Sequence, residues 1–231
     1  MNKDNIIWQI AIDGPAGVGK STVAKLVAQK LGFKYIDTGA MYRAITYLVV
    51  HENIPMSDSA AIYALAQKAN IEFKIENDKE LVFINKINVT DAIRQDPVNT
   101  MVSTLSAQSL VRKVLVAIQQ QLANSFSTVM DGRDIGTVVM PNAQLKIYLE
   151  ASSAVRAQRR YMQLTDKGYK ADLQEIELMI NQRDEQDKGR LASPLKPAPI
   201  AVIIDTDNLT MTEVIEAIIN ELNKVKSLTL H

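Results

Sequence analysis

The chain alternates short apolar runs with amphipathic stretches over most of its length. Residues 8–12, 33–36, 128–130, 145–149 and 201–204 are brief and strongly apolar, the pattern of buried strands. Between them the apolar residues recur at helical spacing. Residues 22–30 place Val23, Leu26 and Val27 on one face, and 97–124 place Met101, Leu105, Leu110, Val114 and Ile118 on another. Residues 40–50, 57–69, a basic segment carrying Arg156, Arg159 and Arg160, then 175–183 with a polar continuation to Arg190, and 211–224 also read as helices. Gly32 is placed to end the first helix, Thr38 to cap the second, and Gly168 to break the basic one. Pro194, Pro197 and Pro199 mark a loop. Strands separated by helices predict an α/β fold with a five-stranded parallel sheet flanked by helices on both faces. One region interrupts the alternation. Residues 71–75, 81–84 and 87–89 are β-like, with a turn at Asn77 and Asp78, and predict a small antiparallel insertion over about 71–95.

The first strand runs into Gly14-Pro15-Ala16-Gly17-Val18-Gly19-Lys20-Ser21-Thr22, a G-x-x-x-x-G-K-S string between a strand and a helix. The glycines let successive N–H groups converge on one anion, and the helix N-terminus adds partial positive charge. Lys20 is suited to the β- and γ-phosphates of a nucleoside triphosphate and the Ser21 hydroxyl to Mg2+. This is the P-loop pattern. It predicts ATP and Mg2+ as donor and cofactor, and leaves open what is done with them.

Composition narrows the choice. Lys plus Arg and Asp plus Glu number 26 each, so no global field favours nucleic acid or an anionic membrane. The absence of cysteine excludes disulfides, thiolate metal sites and a cysteine nucleophile, and suits a reducing cytoplasm. Two histidines, His51 and His231, leave little scope for histidine catalysis. Asp4 and Asp13 bracket the first apolar run, so neither a leader pattern nor a membrane span is expected. With no exposed apolar stripe evident, a monomer is expected.

Arginines recur where the chain returns to the carboxyl edge of the sheet: Arg43, Arg112, Arg133, Arg156, Arg159, Arg160, Arg183 and Arg190. Transfer of a phosphoryl group to a phosphate monoester needs such a set, because two anions must be held close and the charge on the transferring group neutralised. The acceptor phosphate is already largely ionised near neutral pH, so no general base is required. Singly, each arginine is better explained by a surface ion pair, and only their collective placement argues otherwise.

Four segments occur together and in order: the glycine loop; Asp37-Thr38-Gly39-Ala40-Met41-Tyr42-Arg43; Asp131-Gly132-Arg133-Asp134-Ile135-Gly136-Thr137; and Arg183-Asp184 with Asp187 and Arg190. On these segments the chain resembles the bacterial-type cytidylate kinases, CMP/dCMP kinases among the P-loop nucleoside monophosphate kinases. The resemblance spans essentially the whole length, including the β insertion, and D-G-R-D-I-G-T is its most specific piece. It implies transfer of the γ-phosphoryl of ATP to CMP or dCMP, in pyrimidine nucleotide metabolism. By position, Gly14 through Thr22 would hold ATP. Thr38, Arg43, Arg133 and Arg190 would surround the acceptor phosphate. Ser103, Arg112 and Asp134 would face the base, and Arg183 and Asp187 the acceptor nucleoside. Arg156, Arg159 and Arg160 fall where related kinases carry a lid, about 155–170, and helical spacing puts Arg156 and Arg160 on one face as the candidates for the γ-phosphate. The resemblance also implies one kinase domain, with a monophosphate-binding region over about 38–112. Departures are Thr38, where serine is also common, and Gln186 and Lys188, at sites that are often arginine.

The base set is chemically coherent. Cytosine offers one amino donor and the acceptors N3 and O2, matched by the acceptors of Asp134 and Ser103 and the donors of Arg112. Two other readings compete: a kinase with a different acceptor, which leaves this set without a purpose, and a P-loop switch. A guanine-specific switch needs N-K-x-D, whereas the nearest string is Asn85-Lys86-Ile87-Asn88, inside the insertion. A motor-type ATPase needs a strand closing on an acidic pair, which Met130-Asp131-Gly132 does not match.

Overall fold

A computed structural model describes residues 6–76 and 79–229. Asp4, the turn expected at Asn77 and Asp78, and His231 lie outside the described residues. The chain divides into two compact units: the residues through Tyr35 together with those from Ala123 onward, and Ile36–Leu122.

In the first unit, β1 (Gln9–Asp13) leads into α1 (Lys20–Leu31), which Gly32 ends in the left-handed conformation. β2 (Lys34–Asp37) follows and carries the chain into the second unit at Ile36. Beyond Ala123 come β6 (Thr128–Gly132), β7 (Leu145–Glu150), the helices α6 (Ser153–Thr165) and α7 (Leu173–Lys188), β8 (Val202–Asp205) and α8 (Met211–Thr229). The five strands form the expected parallel sheet in the order β2-β6-β1-β7-β8. β1 is central, with Ile12 opposite Asp131 of β6 and Ile147 of β7. Its alternate residues meet a core of Val18, Val23, Val27, Val129, Leu149, Ile215, Ile218 and Leu222. Burying each such side chain contributes about 1.5–3 kcal/mol. The α6–α7 pair rests on a much thinner cluster of Ala157, Ile176 and Ile180.

In the second unit, α2 (Thr38–His51) buries Met41, Ile45, Leu48 and Val49 and packs on α3 (Ser59–Lys68), α4 (Val98–Ser106), β4 (Lys79–Ile84) and a short 3-10 turn at Ala92–Arg94. β3 (Ile71–Glu76), β4 (Lys79–Ile84) and β5 (Ile87–Asn88) make the antiparallel insertion. Two expectations change here. The cap of α2 is Asp37, whose Oδ1 accepts the Ala40 N–H at 2.8 Å, and Thr38 is the first helical residue. The single helix expected over 97–124 is two, α4 and α5 (Ser109–Ser125), bent by 92°. No glycine or proline marks that bend. It is held by side chains instead: Arg112 Nη1 donates to the Ser106 carbonyl at 3.2 Å, and Gln108 Nε2 to Met56 O at 3.0 Å. Among the described residues no single helix is long and apolar enough to cross a membrane.

Candidate active site

The loop between β1 and α1 brings its backbone hard against the sheet. A Cβ on Gly14 would stand 2.2 Å from the Leu149 carbonyl, and the residue has φ +150. Only glycine fits both conditions. Gly19, at φ 93, precedes α1 with no side-chain cap, and no acidic residue occupies the first turn. The N-terminal N–H groups and the positive end of the helix are thereby left for an anion.

Lys20 is buried and donates to Pro15 O at 2.5 Å. Burial, reinforced by the positive charge of Arg133, pushes its pKa well below the ordinary lysine value, and Asp131 opposes this in part. A polyphosphate anion would restore the charge on Lys20. Ser21 Oγ donates to Asp131 Oδ2 at 2.8 Å, and the other carboxylate oxygen accepts from the Tyr35 hydroxyl at 2.8 Å. A hydroxyl beside a buried carboxylate is a hard-oxygen pair that fits Mg2+. Among the described residues no group of three His, Cys, Asp or Glu could hold a metal by itself.

β6 delivers Asp131 to the same sheet edge, and the chain then makes a π turn at Ile135–Val139. Arg133 Nε donates to Asp187 Oδ2 at 2.7 Å, and Arg190 Nη2 pairs with Asp187 Oδ1. Burial would raise the Asp187 pKa, but the neighbouring Arg133 and Arg190 guanidiniums outweigh it and hold the carboxyl below its ordinary 3.8. Arg183 lies close enough to act electrostatically on both Lys20 and Asp187. Asp134 is buried at the start of the π turn. The first unit thus gathers Lys20, Asp131, Arg133, Arg183, Asp187 and Arg190 into one electrostatic cluster.

The three arginines expected in a lid separate. Arg156 is buried: Nε donates to Ala151 O at 3.0 Å, Nη1 to Ala16 O at 2.9 Å, and Nη2 pairs with Asp184 Oδ2 at 2.7 Å. Arg159 donates to the carbonyl and hydroxyl of Thr206. Arg160 is exposed. Four residues apart on one helix, Arg156 and Arg160 do not share an environment.

Within the second unit, Thr38 is buried at the start of α2, and Arg43 Nη1 would lie 2.9 Å from a Cβ on Gly39, so its guanidinium folds back toward that helix start. Arg112 is buried with its guanidinium 5.5 Å from the Tyr42 ring centroid, and Ser103 is half-buried on α4. Asp37 also takes an ion pair from Arg94 at 3.0 Å.

Sequence reasoning gave no site role to three acidic residues of the first unit: Asp13, Asp131 and Asp184. Asp131 opens the D-G-R-D-I-G-T segment and Asp184 follows Arg183 in the fourth segment, but neither motif says which side chain each carboxylate meets.

A central parallel strand ending in a glycine loop, an uncapped helix start, a buried lysine and a serine–aspartate pair define a P-loop nucleotide-binding domain. The cytidylate kinase family model matches residues 10–224. The chain is 46% identical over 222 residues to the cytidylate kinase of Lactiplantibacillus plantarum, covering 96% of this chain and 97% of that one. It is 48% identical over 217 residues to that of Alkaliphilus oremlandii, covering 94% and 98%. A crystal structure of an uncharacterized protein from Eubacterium ventriosum shares the fold, with a TM-score of 0.53 at 12% identity over 95% of this chain and 99% of that chain. The chain belongs to the cytidylate kinase family.

Proposed function

We propose that this protein transfers the γ-phosphoryl group of ATP to CMP or dCMP. An oxygen of the acceptor phosphate attacks the γ-phosphorus, the bond to the β–γ bridging oxygen breaks, and ADP leaves with CDP or dCDP. The observation that carries this reading is the cluster of Arg133, Asp187 and Arg190 on the same unit as the open P-loop, in a member of this family.

Gly14, Pro15, Ala16, Gly17, Val18, Gly19, Lys20, Ser21 and Thr22 hold ATP, with Lys20 on the β- and γ-phosphates. Ser21 and Asp131 would hold Mg2+, which would supply positive charge to offset that of the phosphates. Thr38, Arg43, Arg133 and Arg190 take the acceptor phosphate, Arg183 and Asp187 its nucleoside, and Ser103, Arg112 and Asp134 its base. Arg156 lends its charge to the P-loop from behind the Ala16 carbonyl, while exposed Arg160 is the arginine able to move toward the transferring group. Catalysis then consists of in-line positioning and charge stabilisation. The protein acts as a monomer in the cytoplasm and needs neither nucleic acid nor membrane. Its zero net charge and lack of cysteine support that reading.

The test is ADP release with Mg·ATP and CMP, dCMP, UMP, AMP, GMP or no acceptor. Strong activity with CMP and dCMP alone is expected. Equal activity with UMP would discard the assigned role of Asp134, and ADP release independent of acceptor would discard the kinase reading.

A further inference from the structure

Asp13 closes the central strand one residue before the glycine loop, and it is buried. Its Oδ1 accepts the N–H of Ile135 at 2.8 Å and its Oδ2 the N–H of Gly136 at 2.7 Å. These are the two residues directly after Asp134. The donors belong to the first turn of the π segment, whose N–H groups find no partner within the helix itself. Gly136 is part of the same fit. A Cβ there would stand 3.4 Å from Asp13 Oδ2, 3.4 Å from Lys146 Cδ and 3.1 Å from Ala198 Cβ.

We propose that Asp13 is a specificity-positioning residue: its two oxygens fix the backbone that presents Asp134 to the acceptor base, without touching substrate themselves. The inference rests on the base-reading role of Asp134 and adds the part that aims it. Only an ionised carboxylate serves two adjacent N–H donors equally. Asparagine offers one oxygen and turns an NH2 group toward the other N–H, and a protonated carboxyl does much the same. A site that discriminates by hydrogen bonds is sensitive to displacements of this kind.

Burial raises the Asp13 pKa to about 6, partly opposed by the two N–H donors. The charged or titratable groups around it are Lys20 on α1, Asp134 at the head of the π turn, and Lys146 and Tyr148 on β7. Asp13 therefore ionises as pH rises through about 6.

The readout is the ratio of kcat/KM for CMP to that for UMP. The two acceptors carry the same phosphate monoester, so its own ionisation cancels in the ratio, and so does any uniform loss of folded enzyme. Asp13→Asn and, independently, Gly136→Ala are expected to lower the ratio about tenfold. In the wild type the ratio is expected to fall as pH drops from 7.5 to 5.5, and in Asp13→Asn to stay flat. Asp134→Asn is run alongside. If Asp134→Asn changes the ratio while Asp13→Asn and Gly136→Ala reduce only overall activity or stability, the proposal fails and the base reading survives. If Asp134→Asn leaves the ratio unchanged, both fail. Should Asp13→Asn not fold, Gly136→Ala and the wild-type pH series decide, and a constant ratio in both overturns the proposal.

Discussion

Arg156 Nη2 lies 2.7 Å from Asp184 Oδ2, and both side chains are almost fully buried. Through Nη1 the same guanidinium holds the Ala16 carbonyl, and its Cβ lies 3.5 Å from where a Cβ on Gly17 would stand. One ion pair thus fastens α6 and α7 to the outer side of the phosphate loop. Asp184 Oδ1 is buried without a hydrogen-bond partner, so the guanidinium carries most of the compensation for this carboxylate.

Removing either partner is expected to cost far more than the pair contributes. Asp184→Ala leaves a buried guanidinium uncompensated and should destabilise the fold by about 3–5 kcal/mol. Urea unfolding measures this. A loss below about 1 kcal/mol, the level of an exposed pair, would show that water reaches the site. The surviving folded fraction should show a raised KM for ATP, because Arg156, no longer held by Asp184, fixes the Ala16 carbonyl less firmly.

Lys20→Met keeps an unbranched side chain one atom shorter and removes the amino group. A loss of about a thousandfold in kcat is expected, the scale of a lost charge-stabilising donor. CMP binding measured by calorimetry should change little. Retention of more than a tenth of the wild-type kcat would take Lys20 out of the chemistry.

Two glycines with positive φ should respond very differently to alanine. Gly14→Ala drives a Cβ to within 2.2 Å of backbone and is expected to abolish ATP binding or folding. Gly32, at φ +66, has nothing within 4 Å of its Cβ position, so Gly32→Ala should cost only about 1 kcal/mol. Thermal melts of the two variants give the comparison, and equal shifts would contradict it.

Asp187 should make stability acid-sensitive. Its folded pKa lies below the ordinary 3.8, so the unfolded chain takes up the proton first as pH falls. The stabilisation is complete above that ordinary value and is lost as pH drops through the lower folded pKa. Asp187→Asn should therefore show a stability deficit that is constant from pH 5 to 8 and shrinks below about pH 4. Acid unfolding curves of the two proteins test this, and a deficit independent of pH down to 2 would contradict it.

Much of this architecture was legible locally. A run such as residues 145–149 can be little but a buried strand, and the Gly14–Thr22 string carries its own chemistry, because the turn geometry it needs is met by neighbouring residues. Other elements depended on which of several possible partners the packing selects. The break between α4 and α5 is held by Arg112 and Gln108, which look like ordinary helix residues. Asp37, rather than Thr38, caps α2 because the strand delivers its carboxylate to the Ala40 N–H. Arg156 and Arg160 have equal standing by helical period, and only the packing of α6 buries one and leaves the other in water.

By itself the sequence determined the strand and helix order, the phosphate loop and the arginine-rich segments, since period, turn chemistry and charge act over a few residues. The tertiary structure alone decided which charges compensate one another. Ser21 meets Asp131 across 110 positions, Asp13 meets Ile135 across 122, and Arg156 meets Ala16 across 140. The reason is physical: a buried charge is tolerable only beside its counter-charge or donors, and which groups become neighbours is set by the order of strands in the sheet.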